Sequence, residues 1–307
     1  MTHTLPQVTH VYQNHHLDST RWNSFQPRPD DIIVCTSYKS GTTWTQGILK
    51  HLIFLHQEVP PLGDLSPWLD RRGRPVDQVI AELEAQKHRR FIKSHLALDG
   101  LPYFRQVKYI VVGRDARDVF MSLWNHYSHY TPDQYANLNH TLGRVGAPMP
   151  ECPADIHEFW QNWITRGWFA WESEGYPFWG NLHHTETWWQ FRHLENILFV
   201  HFADLLSNLL GEISRIANFL DIAISDEELI HVAHGVSLAE MRKEAIFSDA
   251  GLVKSFVGGA DTFFFKGVNG RWKDVLSADE LELYYAKVNE LLSRDAKQWL
   301  EKGRDAA

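Results

Sequence analysis

The stretch Asp31-Ile-Ile-Val-Cys-Thr-Ser-Tyr-Lys-Ser-Gly-Thr-Thr-Trp44 constrains this chain more than any other. An apolar, largely β-branched run ends in a loop holding one lysine, one glycine and several hydroxyls. A helical apolar pattern follows at once, with Trp44, Ile48, Leu49, Leu52, Ile53 and Leu55 on one broad face. A strand that passes to a helix through such a loop makes an anion cradle. The first-turn N–H groups lack intrahelical partners, the helix dipole favours negative charge there, and Gly41 lets backbone approach a phosphate closely. Lys39 adds a point charge, and Ser40, Thr42 and Thr43 add hydroxyl donors. The loop is expected to bind phosphate.

The nucleoside-triphosphate loop, Gly-x4-Gly-Lys-Ser/Thr, carries its lysine after the second glycine. Here Lys39 comes two residues before the loop's only glycine, so that pattern is not met. Short apolar runs recur at 31–35, 90–93, 108–112 and 196–202, and most lead into helical patterns, at 43–55, 116–127 and 204–219. This alternation predicts an α/β fold, a central mostly parallel sheet flanked by helices, with ligands beyond the carboxyl ends of the strands. No repeat or linker divides the chain, so a single domain over residues 1–307 is expected, with its core at about 30–290. The polar stretch 131–155 reads as a long loop or mobile insertion. Residues 247–270 hold five glycines around Phe263-Phe-Phe265 and read as a second mobile loop, a lid. Residues 277–302 read as amphipathic helix opening on a Ser-x-x-Glu capping box.

A formal net charge of −8 argues against a nucleic-acid-binding surface. The 18 histidines, including the pairs His15-His16 and His183-His184, lack metal-ligand spacing, so no metal is expected. Two cysteines cannot make a disulfide framework, and the amino-terminal residues lack the basic and apolar regions of a secretory signal. No uninterrupted apolar stretch is long enough to span a bilayer. A cytoplasmic location is the expectation.

The order Lys39-Ser-Gly-Thr-Thr-Trp44 resembles the 5′-phosphosulfate loop of the soluble sulfotransferases, which use 3′-phosphoadenosine-5′-phosphosulfate (PAPS). Four further segments fall in the family's order. Arg90-Phe-Ile-Lys-Ser-His-Leu96 resembles its Lys-Thr-His element. Val111-Val-Gly-Arg-Asp-Ala-Arg-Asp-Val119, continuing through Ser122 to Tyr127, resembles its 3′-phosphate element. Phe178-Trp-x8-Trp-Trp189 resembles its Trp-Trp segment, and Phe264-Phe-Lys-Gly-Val-Asn-Gly-Arg-Trp272 its carboxyl-terminal Arg-Lys-Gly-x-x-Gly-Asp-Trp. The stretches Leu65-Ser-Pro-Trp-Leu-Asp70 and 88–102 look closer to bacterial members, including glycolipid sulfotransferases, than to animal phenol or steroid enzymes.

The resemblance implies sulfuryl transfer from PAPS to a hydroxyl of a small, apolar or lipid-like acceptor, with 3′,5′-bisphosphoadenosine (PAP) as product. It makes His95 the catalytic base and puts Lys39 and Lys93 at the phosphosulfate. Arg114 and Ser122 fall to the 3′-phosphate, and Trp44 to stacking on adenine. On an acidic chain the donor site must be a local basic island, and Lys39, Lys93, Arg114, Lys266 and Arg271 are the candidates. Gly235-Val-Ser-Leu-Ala-Glu-Met241 puts Ser237 at a family serine and Leu238 where an aromatic is common, and Phe202 stands where the family has a tyrosine.

The chain departs from the family at Phe265-Lys266-Gly267, where an arginine usually precedes the lysine, and at Arg271, where aspartate is usual. Arg271 has two readings, a replacement for the missing cation or ordinary surface charge. Seven of the 13 tryptophans lie between Trp160 and Trp189, as core or as acceptor-cavity lining. The animal enzymes' dimer motif is not found before Phe263, which leaves a homo-oligomer open. Two other functions compete with transfer: a nucleotide-dependent kinase of the same broad fold, and a nucleotide-binding protein without turnover.

Overall fold

The computed structural model describes residues 4–141, 143–248 and 250–304. Strands β1 (Ile32–Thr36), β2 (Phe91–Ser94), β3 (Lys108–Gly113) and β4 (Ile197–His201) form a parallel sheet in the order β2-β1-β3-β4. Each strand lies within a residue of its sequence-predicted run. In register, Val34 opposes Lys93 on one side and Ile110 on the other, and Val112 opposes Val200.

Successive strand residues face opposite sides, so each central strand feeds two cores. Ile33, Cys35, Tyr109 and Val111 pack against Phe120, Tyr127, Trp163 and Trp188, while Ile32, Val34, Ile110 and Val112 pack against Ile48, Leu52, Ile213 and Ile216. Burial on both faces explains the near-continuous apolar runs that announced these strands. At the amino ends of β1 and β2 the Arg90 guanidinium grips Asp31 at 2.7 and 2.6 Å, both fully buried. Losing either partner would strand a charge in the core.

The helix after β1 runs Thr42–Ile53, and the one after β3 runs Ala116–Tyr127, capped by the Asp115 carboxylate on the Arg117 N–H. Three expectations need correction. Residues 204–219 are not one helix: Phe202–Ser207 ends at a non-helical Asn208, whose side chain then caps Leu209–Phe219 through the Gly211 N–H. Residues 277–302 also divide, into Ala278–Leu291 and Arg294–Lys302. Leu292 turns extended, and the Ser293 N–H donates to Glu186. The capping box at Ser277 and Glu280 is present.

The third correction concerns the two stretches read as loops. Pro132–Asn139 is a helix, with proline at its start and the Thr131 hydroxyl accepting from the Gln134 N–H. Ala250–Ser255 and Gly259–Phe263 are short helices. The Val257 N–H donates to the His129 carbonyl, and Tyr130 bridges Phe256, so this second segment is tied to the end of the helix carrying Ser122. Glycine and polar content hid both sets of turns. No helix among the described residues is long and apolar enough to cross a membrane.

Candidate active site

The loop between β1 and the helix Thr42–Ile53 turns through two left-handed residues, Lys39 at φ 60° and Gly41 at φ 117°. A Cβ on Gly41 would come within 3.1 Å of the Phe202 ring, so glycine suits both the backbone angle and the crowding. No side chain caps the helix, which leaves its first N–H groups for a ligand. The carboxyl ends of β1, β2 and β3 converge here on a cavity of about 590 Å³.

His95 follows β2 and lines this cavity. Its Nδ1 lies 2.9 Å from the Thr36 carbonyl and 3.0 Å from the Thr36 hydroxyl, which in turn meets the Thr42 hydroxyl at 2.7 Å. A carbonyl only accepts, so Nδ1 carries the proton and Nε2 keeps its lone pair. Burial, with Lys93 and Lys39 adding to it, pushes the imidazolium pKa down to about 3, and the ring is neutral at neutral pH.

Lys93, two residues earlier, lies on the same wall, its ammonium 5.1 Å from the Trp68 ring centroid. Trp68 is held by Asp70, a fully buried carboxylate that accepts from the Trp68 and Trp22 indoles and, at 2.5 Å, from Ser94. That one residue ties the strand end bearing Lys93 and His95 to the ring beside them. Lys39 places its ammonium 3.2 Å from His126 Nδ1 and over the Phe263 ring. Burial first, then the Arg114 and Lys93 charges, pull its pKa down to about 7.

Arg114, just past β3, donates to the Asn269 side chain and to the Lys39 and Val268 carbonyls, and its guanidinium lies 4.1 Å over the Phe202 ring. All three acceptors are neutral, and the nearby Asp118 and Asp115 carboxylates favour its charge without bonding to it. Phe202 meets Trp44 edge-on at 5.3 Å, and the buried Trp44 Nε1 has no partner. Thr42, Thr43, Ser122, Leu238, Phe265, Lys266, Gly267 and Arg271 also line the cavity. Arg271 lies over the Phe265 ring at 4.9 Å, in a turn that Asp118 fixes by accepting from the Gly270 N–H.

Two expected residues point elsewhere. The Ser40 hydroxyl is buried against Ser37, and the Ser237 hydroxyl accepts from the Glu240 N–H. Among the cavity-lining residues that sequence reasoning did not single out are His16, Arg71 and His126. His126 had a signal, since it sits four residues after Ser122 and so shares its helix face. Trp179 and Phe178 reach the cavity, whereas Trp160, Trp163 and Trp188 are core. Among the described residues the wall carries six lysines and arginines and no carboxylate, on a chain of net charge −8.

A family profile described as "Sulfotransferase domain" matches residues 29–296. A glycolipid sulfotransferase of Mycobacterium tuberculosis is 34% identical over 308 residues, covering 96% of this chain and 94% of that one. Sulfotransferase 1B1 of Canis lupus familiaris is 28% identical, over 91% of this chain and 90% of that one. Among solved structures, a mouse sulfotransferase complexed with PAP superposes with a TM-score of 0.64 at 20% identity, covering 93% of this chain and 94% of that one. Retinol dehydratase in a complex with retinol and PAP superposes with a TM-score of 0.66 at 21% identity, covering 90% and 84%. On a profile match over most of its length, and a relative 34% identical along nearly all of it, this chain belongs to the sulfotransferase family.

Proposed function

We propose that this sulfotransferase takes a sulfuryl group from PAPS and passes it to a hydroxyl of an apolar, lipid-like acceptor, with His95 as the general base. The observation that carries the reading is the shared wall. A neutral histidine with a free Nε2, two lysines and an uncapped helix start open on one cavity. The donor end fits a polyanionic nucleotide. Arg114 hydrogen-bonds only neutral acceptors, and the Trp44 and Phe202 rings adjoin one another on the wall. The other end is aromatic, with Trp68, Tyr130, Phe178, Trp179, Phe256 and Phe263, as an apolar acceptor requires.

PAPS supplies an activated sulfuryl group, which passes in line between two oxygens as phosphoryl groups do. His95 Nε2 takes the acceptor's hydroxyl proton while that oxygen bonds to sulfur. Lys39 stabilises the phosphate oxygen that gains charge as its bond to sulfur breaks. A compact mobile ammonium suits a charge that relocates, and Lys93 stands beside the transferred group.

Labelled PAPS offered with phenols, fatty alcohols, sterols and glycolipids tests this directly, and label should pass to at least one apolar alcohol. Stabilisation by PAP without any transfer would reduce the chain to a nucleotide-binding protein. A melting shift that needs magnesium and ATP would favour a kinase.

Arg271 is the cation that stands in for the family's missing arginine in this reading. Arg271→Ala should weaken PAP by about 1.5–3 kcal/mol, the scale of a hydrogen bond to a charged group, and leave adenosine 5′-monophosphate unchanged. Phe265→Arg, built on the ring that Arg271 now covers, should restore PAP binding in the Arg271→Ala protein. Calorimetry on the four proteins gives the coupling. Parental PAP affinity in Arg271→Ala would make the arginine ordinary surface charge.

A further inference from the structure

Among the described residues, Arg71 is the one cation of the cavity wall that the transfer chemistry does not use. Its backbone is pinned, by a bridge to Leu17 and an N–H to the Trp68 carbonyl. Its guanidinium is not. Among the described residues it makes no hydrogen bond or ion pair; it lies against Gly73, with the centroid of the Trp68 ring 5.7 Å away. The same ring stands 4.6 Å from the His95 ring. Trp68 thus neighbours both base and guanidinium, and the two separations hold Arg71 within about 10 Å of His95. Tyr130 and His16 stand near it on the same wall, and neither is an anion.

Resting on the sulfotransferase reading, we propose that the acceptor carries an oxyanion, a carboxylate, phosphate or sulfate, which Arg71 binds while His95 faces the hydroxyl. The acceptor class is thus an amphiphile: an apolar body across Trp68 and Trp179, a hydroxyl at the base and an acidic group within about 10 Å of it. A half-buried guanidinium with no counter-charge is costly unless a ligand supplies one. Its planar fork also suits the bidentate grip of such a group. Burial holds the Arg71 pKa below the ordinary arginine value, with only the Tyr130 phenol acting against it. In this reading the donor's anionic groups already have their own cations, Arg114 and Arg271 beside Phe202 and Phe265 and Lys93 over Trp68, which leaves Arg71 for the acceptor.

The test compares 3-(4-hydroxyphenyl)propionate with its methyl ester, two phenols that differ in one charge. Tryptophan fluorescence of the PAP-loaded protein reads their binding without turnover, and kcat/KM with PAPS reads their use. In the parent the acid should outperform the ester by about 10-fold or more, the low end for a charged hydrogen bond. Arg71→Gln should bring the ratio to about one by weakening the acid alone, and Arg71→Lys should keep part of it. PAP-dependent melting should match the parent in both variants, which shows them folded with a working donor site. An acid that binds no better than the ester, or an Arg71→Gln change that weakens both alike, overturns the proposal. Absence of transfer to any acceptor, with the binding ratio intact, would strike instead at the sulfotransferase reading.

Discussion

His95→Ala should lower kcat/KM by about 10²–10⁴-fold, the usual worth of a positioned general base, while PAP binds as it does to the parent. The separation of effects follows from geometry. The imidazole is fixed by Nδ1 on the Thr36 carbonyl, which leaves Nε2 as the basic nitrogen of a ring on the cavity wall, and no nucleotide contact is asked of it. Its lowered pKa makes a second prediction about the same ring. With burial holding the imidazolium near 3, far under the ordinary 6.5, the base stays ready across neutral and mildly acidic pH. The acid limb of the kcat/KM profile should therefore lie well below the range of a free histidine. Steady-state rates from pH 4.5 to 8, with calorimetric PAP titration of the variant, check both. Undiminished turnover in His95→Ala would remove the assignment.

Lys39→Met should cut kcat by about 10²–10³-fold, the cost of losing one donor that stabilises developing negative charge, and should weaken PAP less than it slows turnover. Here the sign of the pH effect is opposite to a histidine's. The free ammonium titrates at about 7 because burial and neighbouring Arg114 and Lys93 oppose its charge. A bound 5′-phosphate favours that charge, so the pKa rises on binding. PAP affinity should hold below pH 7 and fall above it, and binding at pH 8 should take up about 0.9 proton, the neutral fraction one unit above a pKa. Calorimetry in two buffers of different ionisation enthalpy measures that uptake. Parental proton uptake in Lys39→Met would place the titration on another group, and parental kcat would make Lys39 a phosphate anchor only.

The sheet was legible because buried parallel strands must be apolar on both faces, which gives runs such as Ile32 to Cys35 that need no periodicity to find. The phosphate turn was legible because Lys39, Gly41, Thr42 and Thr43 are contiguous, and the element after β3 because Asp115 caps a helix directly behind Arg114. What stayed hidden was brought together by chain reversal. Arg71 and His16 reach the wall from before β2, and neither carries a local pattern. The helices at 250–263 were obscured for another reason. Their glycines read as loop, while the bridge between Tyr130 and Phe256 that ties them down is encoded by no short-range signal. Arg114 was legible as a cation beside the site, but its three neutral partners were not, since two of them, Val268 and Asn269, lie more than 150 residues on.

The carboxylate-free wall on an acidic chain also shapes how a polyanion arrives. At long range such a ligand meets a net charge of −8 and is repelled; inside the cleft it meets only lysine and arginine. Salt screens distant charges first, with a Debye length of about 8 Å at physiological ionic strength. Moderate salt should therefore leave the association rate of PAP level or raise it, while dissociation quickens, so that the loss of affinity shows in residence time. Most electrostatically steered encounters behave the other way, slowing as salt rises. Stopped-flow traces at two ionic strengths separate the cases. A steep fall in the association rate would mean that the cavity's field reaches past the acidic surface around it.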